Sequence, residues 1–152
     1  MAETLGSLCD KLIIVKLKQW HSEDPVRLES LDAQEIQLQT EINEFVADAI
    51  SGKICLDRLT FAANKVYEEE KHIVPDVTGN IGTVFSKLAD VNCALWHEQE
   101  KVYEFEKVPL GEKDKVVKKL ALLNLERGKC IDQIDREFHS YIEKILTGKE
   151  NM

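Results

Sequence analysis

The three prolines of this chain, Pro25, Pro75 and Pro109, all fall between stretches in which apolar residues recur every three or four positions. Proline has no N–H to donate and its ring clashes with the preceding turn, so each one marks a helix boundary. A step of three and four is the period of one buried stripe on a helix. Leu5, Leu8, Leu12, Val15 and Gln19 follow it and predict a first helix from about residue 4 into the low twenties, which Pro25 ends or kinks. Asp32 with Glu35 reads as a capping box for a second helix, with Leu38, Ile42, Phe45 and Ala49 on its stripe and Gly52 as its exit. Leu56, Leu59, Ala62, Val66 and Ile73 predict a third, running to Pro75. Asn80 is placed to cap a fourth, carrying Ile81, Val84, Leu88, Val91, Leu95, Val102 and Phe105. After Pro109 and Gly111 a last helix extends from about Glu112 to Leu146, with Gly148 as its stop. At 1.5 Å per residue it spans roughly 50 Å, longer than a small bundle needs, which points to an oligomeric contact.

Sliding the chain against itself by 76 positions pairs residues 5–26 with 81–102 and yields seven identities: Gly6/Gly82, Lys11/Lys87, Leu12/Leu88, Val15/Val91, Trp20/Trp96, His21/His97 and Val26/Val102. Both tryptophans precede a histidine. The expected architecture is therefore an all-α, antiparallel bundle of about five helices, one domain over 1–152, built from a duplicated helical hairpin. Its parts are repeat 1 at about 4–52, a connector helix at about 54–75 and repeat 2 at about 80–148.

The charge narrows the partners. Twenty Lys and Arg against 28 Asp and Glu leave a net charge of -8, so no overall basic field exists to hold nucleic acid or anionic lipid. No apolar run reaches the roughly 20 residues of a membrane span, and Met1-Ala-Glu-Thr-Leu5 lacks the layout of a signal peptide, so a cytoplasmic location is expected. The acids concentrate in 22–50, making the helix at 32–51 either a solvated face or a docking surface for a protein partner. Cys9, Cys55, Cys93 and Cys130 lie at least 37 residues apart and are expected as reduced, largely buried thiols.

Several polar residues fall where the stripes should be apolar. Lys16 and Glu23 continue the line of Leu5, Cys9 and Leu12, and their counterparts Asn92 and Gln99 fall within the face of Ile81, Val84 and Leu88. Arg127 projects between Leu120 and Ile131, with Asn124 beside it. A buried unpaired charge costs several kcal/mol, so these groups must meet one another, water or a ligand. One reading is a buried network that fixes helix register. The other is a polar cavity between the hairpins that binds a small anion or polar ligand. On the flank, His21 with Asp24 and His97 with Glu100 each place an imidazole and a carboxylate one turn apart, next to Trp20 and Trp96, which read as packing residues. Di-iron bundles use the reverse order, Glu-x-x-His, and two further glutamates, so neither metal nor cofactor is expected. Phosphate loops, dinucleotide fingerprints, nucleophile elbows and H-E-x-x-H are all missing from the sequence.

Two windows carry a family resemblance. QWHSED with Arg27, and less closely LWHEQE, resemble a tryptophan-histidine helix motif, while Asn124, Arg127, Ile131, Asp132, Ile134, Asp135 and Phe138 fit N-x-x-R-x-x-x-[IV]-[DE]-x-I-D-x-x-F. Together they are similar to the bacterial family known as domain of unknown function 4254. Pro25 departs from the first motif, and Val46 stands at the first-repeat counterpart of Arg127. The resemblance implies an all-helical fold and supplies no activity. The leading functional expectation is a non-catalytic interaction or assembly protein that forms a homo-oligomer or docks a partner. Its rival is a ligand-binding or metal-dependent bundle, enzymatic or not, using the polar cluster.

Overall fold

The computed structural model describes residues 2–61, 64 and 74–150. Among them are four α-helices and no strand: α1 (Leu5–Trp20), α2 (Pro25–Ile50), α3 (Ile81–Tyr103) and α4 (Lys113–Glu150). None is long and apolar enough to cross a membrane. Short 3-10 turns at Leu56–Arg58, Phe105–Lys107 and Leu110–Glu112 punctuate the connections.

Local chemistry sets the helix starts. At Thr4 the hydroxyl accepts from Ser7 N while Ser7 Oγ accepts from Thr4 N, a reciprocal cap that satisfies two otherwise orphaned donors. Asp24 accepts from Val26 N, and Pro25 occupies the first helical position, where its missing N–H costs nothing. The second helix thus begins at Pro25, seven residues before the Asp32 start read from the sequence. Asp32 and Glu35 instead lie mid-helix and receive bonds from α1. Asn80 does precede α3, but without a side-chain capping bond. Gly52 takes φ +79° after α2, a conformation that favours glycine. Gly148 does not stop α4, which runs on to Glu150, because one glycine inside a helix costs only about 1 kcal/mol relative to alanine.

Of the stripe expected for a connector helix, Leu56 belongs to a 3-10 turn and Leu59 is fully buried behind it, while Ala62, Val66 and Ile73 lie outside the described residues.

Cross-helix pairs fix the packing. Lys16 to Glu35 and Gln19 to Asp32 run α1 against α2, Lys87 to Glu126 and Lys119 to Glu98 run α3 against α4, and Gly6 to Asp135 and Asp10 to Arg127 run α1 against α4. Each pairing is antiparallel. α1 touches all three other helices, whereas α2 lies mainly on α1 and reaches α4 at its far end, where Phe45 meets Phe138. The core gathers Leu5, Cys9 and Ile13 of α1, Val84 and Leu88 of α3, and Cys130, Ile134, Phe138 and Ile142 of α4. Fully burying each of its larger apolar side chains contributes about 1.5–3 kcal/mol.

Candidate functional site

Arg127 does point inward, and its partner comes from the other end of the sequence. Asp10, buried on α1, accepts from Arg127 Nε at 3.0 and 3.1 Å and from Nη2 at 2.8 Å. Asn92, buried on α3, adds a third helix by donating to Asp10 at 2.8 Å, and its amide also reaches Leu88 O. The carboxylate is thus compensated by one guanidinium and one amide, with its lone pairs used in a fork-like contact.

The other sequence candidates do not join this cluster. Lys16 is exposed and pairs with Glu35 of α2, because the end of the α1 stripe faces α2 and not the bundle interior. Glu23 is exposed in the turn after α1, since the helix stops at Trp20 and its phase cannot be extended that far. Gln99 and Asn124 are exposed, and Asn124 bonds back to Leu120 O of its own helix. Trp20, read as a packing residue, is 86% exposed as the last residue of α1. The thiols also divide: Cys9 and Cys130 are buried, and burial pushes both up to about 11, whereas Cys55 and Cys93 are exposed.

The two histidine-carboxylate pairs are used separately. His21 stacks on Trp96 at 4.6 Å between ring centroids and donates from Nδ1 to Leu17 O. Asp24 caps α2, Trp96 donates to Glu100 at 2.8 Å, and His97 is exposed. Among the described residues no three His, Cys, Asp or Glu side chains gather to hold a metal ion.

Besides Asp10, two further buried carboxylates lie outside the sequence candidates. Glu98 of α3 receives Lys101 and Lys119 at 3.0 and 2.9 Å. Burial raises its carboxyl, but the two ammonium hydrogen bonds prevail and hold it below the usual value. Asp135 of α4 accepts the Gly6 N–H at 2.7 Å, placing an anion at the positive end of α1. Burial pushes it up to about 6, against the bonds from Gly6 and Thr4 that favour its ionised form. Asp132, one position from the same face, is also raised by burial and receives Asn64. A signal existed for both Glu98 and Asp135. Glu98 continues Val84, Leu88, Val91, Leu95 at steps of three and four, and Asp135 lies between Ile131 and Phe138 in the same way.

The residues of the N-x-x-R motif thereby acquire physical roles. Arg127 clamps α1, Ile131 supplies the surface against which Gly6 packs, Asp132 holds Asn64, Asp135 meets the start of α1, and Ile134 and Phe138 are core. At the described residues no buried side-chain nitrogen or oxygen lacks a hydrogen-bond partner. No protein-family model, curated protein or solved structure matches this chain.

Proposed function

We propose that this chain is a non-catalytic helical-bundle protein that works by association, in the cytoplasm of a bacterium, as a homo-oligomer or with a protein partner. We read it as a duplicated hairpin, α1 with α2 and α3 with α4, and as a relative of the domain of unknown function 4254 family. The observation that carries the reading is the closure of Asp10, Arg127 and Asn92 on one another. A guanidinium already neutralised by a forked carboxylate has little charge left for an anionic substrate, and its natural role is to fix the register of three helices. The acidic face of α2, covered mainly by α1 alone, is a second candidate for docking.

Arg127→Ala tests this against a ligand-binding role. The variant is expected to lose thermal stability, with native mass spectrometry showing no small molecule on either protein. A variant that stays folded but loses a molecule carried by the parent protein sinks the association reading.

A further inference from the structure

We draw no further inference here: the strongest candidate, the groove of about 530 Å³ between α1 and α2 lined by Ile14, Val15, Lys18, Leu38 and Glu41, carries nothing because its charges are of both signs and nothing in the structure shows what covers it.

Discussion

Residues 5–26 and 81–102 share seven of 22 positions, yet the fold uses the two windows differently. A Cβ added at Gly6 would lie 2.6 Å from the Ile131 carbonyl oxygen and 2.9 Å from Asp135 Oδ1, whereas one added at Gly82 would meet nothing within 4 Å. Trp20 projects into solvent while Trp96 is half-buried against His21. Lys16 reaches sideways to α2, and its counterpart Asn92 is buried on Asp10, whose own counterpart is the exposed Ser86. Among the apolar matches Val15 and Val91 are both buried, but Leu88 is fully buried where Leu12 is only partly so, and Val26 is exposed where Val102 is half-buried. α1 is wedged among three helices, so the polar and glycine positions of its window answer to neighbours that α3 does not have. Sequence similarity here preserves a stripe and not a site.

The contrast can be broken most sharply by exchanging counterparts. Asn92→Lys places a second cation beside Arg127 with one carboxylate to share, and is expected to cost about 3–5 kcal/mol in urea unfolding, as for a disrupted buried ion pair. Lys16→Asn should leave stability within the scatter of surface substitutions. Equal losses would mean that the windows are equivalent after all.

Burial of Asp135 on α4, beneath the start of α1, also makes its titration depend on the fold. Asp135 binds its proton more tightly folded, near pH 6, than unfolded, near 3.8. Protonation therefore favours the fold: its contribution is fully present below about pH 4 and is lost as pH rises through 6. Asp135→Asn keeps an acceptor for Gly6 and removes that loss. The stability of the variant relative to the parent should thus rise by about 2–3 kcal/mol between pH 4 and pH 7. Parallel stability profiles for the two proteins would refute the assignment.

The smallest effects come from the glycines. Gly6→Ala must push α1 off α4 and is expected to cost about 1–3 kcal/mol, while Gly82→Ala relieves a helix of a poor helix former and should gain about 0.5–1 kcal/mol. Thermal melts that shift in the same direction would remove the distinction.

The helical class, the starts of α1 and α3 and the inward aim of Arg127 were legible in the sequence because each follows from local period. The start of α2 was misread because Asp32 and Glu35 imitate a capping box while serving as acceptors for Gln19 and Lys16. Asp10 escaped notice for a different reason. It lies one position from Cys9 beside the α1 stripe, its counterpart in the second window is an ordinary serine, and the cation that makes it meaningful is 117 residues away. Lys16, Glu23 and Gln99 were nominated by extending a phase of 100° per residue. The phase holds only while the helix lasts and while the same neighbour remains opposite.

The bonds from Gly6 to Asp135 and from Arg127 to Asp10 span 129 and 117 residues. During synthesis α1 and α2 leave the ribosome as a hairpin whose first helix has neither its counter-ion nor its core. At about 5–20 residues per second, several seconds pass before α4 exists to receive them. Loop closure on that scale slows folding more than it weakens the folded state. The order of emergence therefore leaves Leu5, Cys9 and Ile13 uncovered by α4 until the final helix arrives, and the nascent chain is most in need of chaperone protection over that interval.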